Sequence, residues 1–385
     1  MDDFREMFAG KQRRVQSTNS RWLLPWIWPL IAGASISRTA AAGFDTLAKN
    51  LATDGQGAPQ SSSDFDWATS HRLTLDLASM RLRDFSLSQT GPTTIICAPF
   101  ALHGATVADF APGHSLVERL RREGIQRLFV TDWRSATAVM KDFSIDTYLA
   151  DLNVAVDDCG APVNLVGLCQ GGWLALAYAA RFPWKVGKLV LAGSPIDIAA
   201  GSSPLSELAA TTPLSTFQQL VELGEGRMLG RHLLAVWGAW LAGQTDASHV
   251  LQSPAEGVSD ELQQRFQRWC MSAVDLPGAY YLQVVQRVFK ENQIARGQFV
   301  ALGRQISLAD IRVPLALLAA TFDEIVNEQQ MFAVARLVGT AAADLIELKE
   351  PCGHLSLFIG AKTLDRAWPR IARWLNHDST LALAS

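Results

Sequence analysis

From about residue 70 the chain switches repeatedly between two hydrophobic periods. Residues 72–77, RLTLDL, alternate apolar and polar side chains, as a half-buried strand does. Short apolar runs at 93–98, 127–131, 163–167 and 188–192 predict further strands, too short for helices and rich in β-branched residues. Between them, 115–123, 145–157 and 173–181 carry apolar residues at helical spacing. Strands that alternate with helices imply a mostly parallel sheet with helices on both faces.

The alternation stops near residue 196. Residues 196–305 read as mostly helical, with Trp237, Trp240 and Trp269 among them. Strands return at 315–319 and 343–347, and a last helix is expected over 364–375. The simplest organisation is one α/β core, 66–195 plus 306–385, with a helical cap inserted at 196–305. Residues 1–65 form an N-terminal extension, which ends in a polar Gly/Ser-rich linker at 53–66.

Within that extension, residues 21–34 are very apolar and hold Trp22, Trp26 and Trp28. Pro25 and Pro29 interrupt the run, which falls short of the ~20 apolar residues a spanning helix needs. Its late start and its tryptophans argue against a signal peptide, although Arg13 and Arg14 precede it. It reads as a segment that docks on the core or anchors on a lipid or polymer surface.

Composition narrows the function. Of 385 residues, 49 % are apolar and 18 % charged, an ordinary globular balance, and the net charge of −3 offers no field for nucleic acid. Five scattered cysteines without a CxxC pair suit neither a disulfide framework nor a zinc site. They fit a reducing compartment.

The chemistry centres on Gly167-Leu168-Cys169-Gln170-Gly171, which follows a predicted strand and opens a predicted helix. A strand–turn–helix of the form G-x-nucleophile-x-G is the nucleophile elbow of α/β-hydrolase-type sheets, here with cysteine as nucleophile. Gly167 and Gly171 are required because backbone passes close to both. The helix that opens after Cys169 directs free N–H groups toward the sulfur and favours the thiolate. The N–H of Gln170 is a candidate oxyanion donor. A second donor is expected from the loop after an early strand, at Phe100 or Ala101. His103-Gly104 in that loop suits either an oxyanion loop or a purely structural role.

In this architecture the acid and then the histidine follow the nucleophile in sequence. His354 lies in a turn after a late strand, where the base belongs. Asp323 follows the 315–319 strand and would orient His354, with Glu324 as the adjacent competitor. Cys97 reads as a core residue, and Cys352 only as a sequence neighbour of His354.

These residues resemble the polyhydroxyalkanoate synthases. The elbow with Gly171-Gly172, the loop at Pro99, Asp132-Trp133, Asn292 in KENQ, the 308–314 approach to the acid strand and Gly353-His354 carry the resemblance over roughly 90–375. The cap departs from the family by lacking an Asn between Trp269 and Asp275, and the acid is followed by Ile325-Val-Asn-Glu328 instead of Ile-Val-Pro-Trp. The resemblance implies a Cys-His-Asp triad and acyl transfer from a hydroxyacyl-CoA to a growing polyester. It also implies a cytoplasmic place at granule or membrane surfaces and a homodimer formed through the cap, and no metal or nucleotide cofactor is expected because the sequence holds no phosphate loop or ligand cluster. A cysteine hydrolase, either a polyester depolymerase or a thioesterase, is the alternative. A non-catalytic granule protein would have no need of the triad.

Overall fold

A computed structural model describes residues 65–237, 247–252 and 257–376. The docking segment at 21–34 and nearly all of the linker lie outside the described residues. Among the described residues no helix is long and apolar enough to cross a membrane.

One eight-stranded sheet organises the chain: β1 (Arg72–Asp76), β2 (Met80–Asp84), β3 (Thr93–Cys97), β4 (Arg127–Trp133), β5 (Val163–Leu168), β6 (Val186–Ala192), β7 (Leu315–Ala320) and β8 (Leu345–Glu350). Its order is β1-β2-β4-β3-β5-β6-β7-β8. Only β2 runs antiparallel to its neighbours. This is the α/β-hydrolase sheet.

Helices α1 (Leu116–Arg122), α2 (Ile145–Asp158) and α3 (Gln170–Arg181) connect the first strands. Successive strand residues point to opposite faces of a sheet, and the core divides accordingly. Ile95, Leu165 and Leu189 pack with the apolar residues of α2 and α3, whereas Ile96, Val166 and Val190 pack with those of α1. Central strands buried on both faces explain why 93–97 and 163–168 show no alternation of apolar and charged residues.

Between β6 and β7 the chain leaves the sheet and forms α4 (Pro204–Thr211), α5 (Leu214–Leu223), α6 (Gly230–Trp237), α7 (Ala247–Leu251), α8 (Asp260–Cys270) and α9 (Gly278–Gln283). Helix α9 runs on into a π-helical stretch, Val284–Lys290. Two short antiparallel pairs, Arg227–Met228 with Leu276–Pro277 and Val300–Ala301 with Arg304–Gln305, interrupt the helical character. After β7 come α10 (Glu328–Phe332), α11 (Ser356–Ile359), α12 (Ala361–Arg366) and α13 (Trp368–Asn376).

Four local expectations change. β1 is not half-buried: Arg72, Leu73, Thr74 and Asp76 are exposed, because it is the edge strand. β2 escapes sequence reading because its outward residues are Arg81 and Arg83, although Met80, Leu82 and Asp84 are buried. β8 starts at Leu345, since Ala342–Asp344 form a 3₁₀ turn. The last helix is two helices broken at Ala367, where Pro369 can open a first turn but cannot continue one.

Asn292 ties the end of the inserted segment to its beginning. Its Nδ2 donates to Asp197 Oδ1 at 2.7 Å, and its Oδ1 accepts from the Ile198 N–H at 3.1 Å, just past β6. The residue is buried and left-handed, with φ of 50°, a conformation Asn tolerates and Ala does not. Asn292→Ala should therefore lower stability by about 2–4 kcal/mol in urea unfolding. Asn292→Gly, which loses the bonds but not the backbone freedom, should cost less. Equal costs would mean that the φ requirement contributes nothing.

Candidate active site

Cys169 caps the N-terminus of α3 with φ 50° and ψ −120°. A non-glycine residue held there costs about 1–3 kcal/mol and persists only where its surroundings fix it. Those surroundings are visible. A β-carbon on Gly171 would lie 2.1 Å from the Cys97 carbonyl oxygen, and one on Gly172 would lie 1.8 Å from Ser194 Oγ. Gly167 in turn faces the Gly172 Cα, 2.5 Å from where its β-carbon would be. The start of α3 is thus pressed onto β3, β5 and the end of β6. The Cys169 N–H donates to the Ala192 carbonyl at 2.9 Å, which extends the ladder one residue past β5.

The β7–β8 register brings in the partners. Ala320 pairs with Glu350 at the carboxyl ends of the two strands. Beyond them the Thr321 N–H donates to the Glu350 carbonyl at 2.9 Å and the Phe322 N–H to the Cys352 carbonyl at 3.1 Å. The two loops therefore run side by side to Asp323 and His354. His354 Nδ1–H donates to Asp323 Oδ2 at 2.8 Å, with side chains 3 % and 2 % exposed. The other carboxylate oxygen of Asp323 accepts from the Ile325 and Val326 N–H groups at 2.9 and 2.8 Å. Three donors therefore fix this carboxylate, while Glu324 is exposed.

With Nδ1 committed to the carboxylate, Nε2 is left free to take a proton. Burial alone would lower the His354 pKa. The Asp323 carboxylate and the Cys169 sulfur outweigh burial and raise it well above the ordinary value. The same ring interacts with the Cys169 side chain, so the structure brings Cys169, His354 and Asp323 together. The other cysteines differ. Burial pushes Cys97, Cys159 and Cys270 up to about 12 and Cys352 up to about 11, which keeps them as thiols.

Gln170 is the first residue of α3, so its N–H has no acceptor within the helix. The loop carrying Phe100 and Ala101 leaves β3 against the elbow: the Ala98 carbonyl oxygen is 2.7 Å from where a Gly171 β-carbon would be. The Phe100 ring is buried, and Ala101 is half-buried. His103 takes the structural role. Its Nδ1–H donates to the Ser272 carbonyl at 2.7 Å, its ring lies 4.0 Å from Trp269, and burial pushes it down to about 4.

Sequence reasoning missed two neighbours of the site. Gly193, left-handed at φ 54°, gives the His354 ring its room, since a β-carbon there would be 3.1 Å from Cε1. Tyr280 of α9 lies near the Cys169 sulfur. A glycine directly after a strand was the available signal for the first. Nothing in the pattern marks Tyr280 among the aromatic residues of the inserted segment.

Residues 243–379 match the family model described as PHB de-polymerase C-terminus. The chain is similar to a protein named poly(3-hydroxyalkanoate) polymerase subunit PhaC from Allochromatium vinosum, 26 % identical over 280 residues that cover 70 % of this chain and 77 % of that one. The protein of the same name from Thiocystis violacea is 25 % identical over 284 residues, covering 71 % and 78 %. A solved hydrolase from Pseudomonas aeruginosa PA01 superposes with a TM-score of 0.51 at 15 % identity, over 80 % of this chain and 98 % of that one, and shares the fold.

Two outcomes test this geometry. Gly171→Ala should destabilise the protein by more than about 2 kcal/mol, because a backbone carbonyl has to move. A neutral effect would contradict the close approach. His354 holds its proton to higher pH in the folded chain than in the unfolded one, where the imidazole titrates near about 6.5. Its stabilising contribution is complete below that pH and is lost as pH rises through the folded value. The stability advantage of the native protein over His354→Gln, followed by urea unfolding from about pH 6 upward, should therefore shrink as pH rises. An advantage that grows would contradict the ion pair.

Proposed function

We infer what this chain does from the family to which it belongs, the polyhydroxyalkanoate synthase-like α/β-hydrolases, together with the contacts of Cys169. The chain is an enzyme of the acyltransferase type, and the reaction we propose is acyl transfer from a hydroxyacyl-CoA thioester to the hydroxyl end of a polyester. The observation that carries this reading is the buried His354–Asp323 pair at 2.8 Å, with Cys169 on the free side of the same ring.

In the first half-reaction His354 Nε2 takes the thiol proton, and the sulfur attacks the thioester carbon. The Gln170 N–H, joined by that of Phe100 or Ala101, receives the developing oxyanion. The intermediate collapses, and the CoA sulfur leaves with the proton from His354. The acyl group now rests on Cys169 as a thioester, at little net change in free energy because one thioester replaces another. In the second half-reaction a hydroxyl loses its proton to His354 and attacks the acyl carbon. An oxygen ester forms, and the Cys169 sulfur recovers the proton. Asp323 orients the ring throughout and stabilises the imidazolium. No metal or further cofactor enters the scheme, and the natural setting proposed is the cytoplasm, at polymer granules.

One finding favours a second reading, hydrolysis. The region 243–379, which matches the model described as PHB de-polymerase C-terminus, contains both Asp323 and His354. The same acyl-enzyme attacked by water would release a free hydroxy acid. The choice lies in whether water or an alcohol reaches Cys169.

Incubation with 3-hydroxybutyryl-CoA, with Cys169→Ala as blank, tests both. CoA release with insoluble or oligomeric ester is the expected outcome. Free 3-hydroxybutyrate as sole product would replace synthesis by hydrolysis, and no release above the blank would overturn both for this substrate. Asp323→Asn should lower the turnover rate by at least about 100-fold, because His354 then adopts the wrong tautomer. A loss of only a few-fold would remove Asp323 from the scheme.

A further inference from the structure

The two edges of the main sheet differ. On one side the pairing of β1 with β2 is interrupted between Leu73 and Leu75, and an irregularity of that kind twists an edge away from foreign strands. On the other side β8 pairs with β7 in unbroken register from Leu345 to Glu350, and among the described residues no strand pairs with its outer side. The Thr321 N–H donates to the Glu350 carbonyl, so Glu350 turns its backbone groups toward β7. That direction alternates along a strand. Ile346 and Leu348 therefore also face β7, whereas Leu345, Glu347 and Lys349 present their N–H and C=O groups to the open edge. The Glu347 and Lys349 side chains are exposed. Lys349 Nζ lies 3.0 Å from Glu328 Oε1 and over the Phe332 ring. Among the described residues the Glu347 carboxylate has no partner.

A regular strand edge with free backbone groups is a template for a further strand unless something blocks it. Charges of one sign along the edge would repel a second copy of the same strand, but here the signs alternate. With β8 of two copies antiparallel about a two-fold axis at Leu348, Glu347 of each copy stands opposite Lys349 of the other. Both residues face the edge, so each pair exchanges both of its backbone N–H···O bonds, while the two Leu348 residues keep theirs for β7. Residues directly opposite in such a ladder project to the same face, which sets carboxylate beside ammonium in both pairs. An axis at Glu347 or at Lys349 would set like charges opposite each other, so the charges select one register. Pro351, two residues beyond Lys349, has no N–H and ends the ladder. A cleft of about 420 Å³, lined by Glu347, Phe332 and Arg336 among others, leaves room beside the edge for the incoming Lys349 side chain. We propose that the outer edge of β8 binds a second copy of this chain, joining the two sheets into one. This surface is separate from the inserted segment, and the inference does not depend on the reaction at Cys169.

Charge exchange tests the interface. Sedimentation of the native full chain at low ionic strength, over about 1–200 μM, should show reversible self-association. Glu347→Lys sets lysine opposite Lys349 in both pairs, and Lys349→Glu sets glutamate opposite Glu347. Each variant alone should associate at least about tenfold more weakly than the native chain. An equimolar mixture of the two restores opposite charges in both pairs and should associate at least about tenfold more tightly than either variant alone. A native chain that stays monomeric throughout would overturn the inference. So would self-association that neither substitution weakens, or a mixture no tighter than its components. A second measurement needs no variant. In a mixture of light and heavy-isotope-labelled native chains, a water-soluble carbodiimide activates the Glu347 carboxylate, the Lys349 amine attacks it, and an amide forms as the carbodiimide leaves as a urea. Mass spectrometry after proteolysis should find Glu347 of one label joined to Lys349 of the other. Absence of that mixed-label product would overturn the inference even if the charge variants did not fold.

Discussion

The site depends on one steric constraint, the contact of the first turn of α3 with the strands beneath it. Gly171 lies so close to the Cys97 carbonyl that no β-carbon fits, and Gly172 lies equally close to Ser194. This contact holds Cys169 in a left-handed backbone conformation at the helix N-terminus. Elevated there, the sulfur stands clear of β5 and within reach of a base from another strand.

The parallel register of β7 and β8 does the rest. Because Ala320 pairs with Glu350, the two following loops continue side by side, and two further backbone bonds carry the pairing to the acid and the base. Asp323 is fixed by three donors and His354 by one strong acceptor. A charged pair this buried is stable only when its remaining oxygens are satisfied, and here the Ile325 and Val326 N–H groups satisfy them. The chemistry is thus positioned almost wholly by backbone.

Much of this was legible in the sequence because it is local. The strand–turn–helix around Cys169 and the apolar runs of the central strands are patterns within a few residues of each other, and the order nucleophile, acid, histidine then points to the turns after two late strands. Asp323 could be preferred over Glu324 from position alone, and the structure shows the reason in its backbone donors. What the sequence hid is non-local. β2 looks like a polar loop until its partner β4 makes Arg81 and Arg83 the outward face. His103, ambiguous in sequence, becomes a buried neutral pin only when Trp269 and Ser272 close over it. Tyr280 is one aromatic residue among many until the fold sets it against Phe100 and near Cys169.

The central claim is that an acyl group resides on Cys169 during the reaction. The most direct measurement is acid quenching within a turnover with 3-hydroxybutyryl-CoA, followed by proteolysis and mass spectrometry of the peptide containing Cys169. The account predicts a hydroxyacyl thioester on that cysteine, accumulating in His354→Gln if acylation survives there and absent from Cys169→Ala. CoA release by the native protein with no adduct on Cys169, or with the adduct on another of its cysteines, would contradict it.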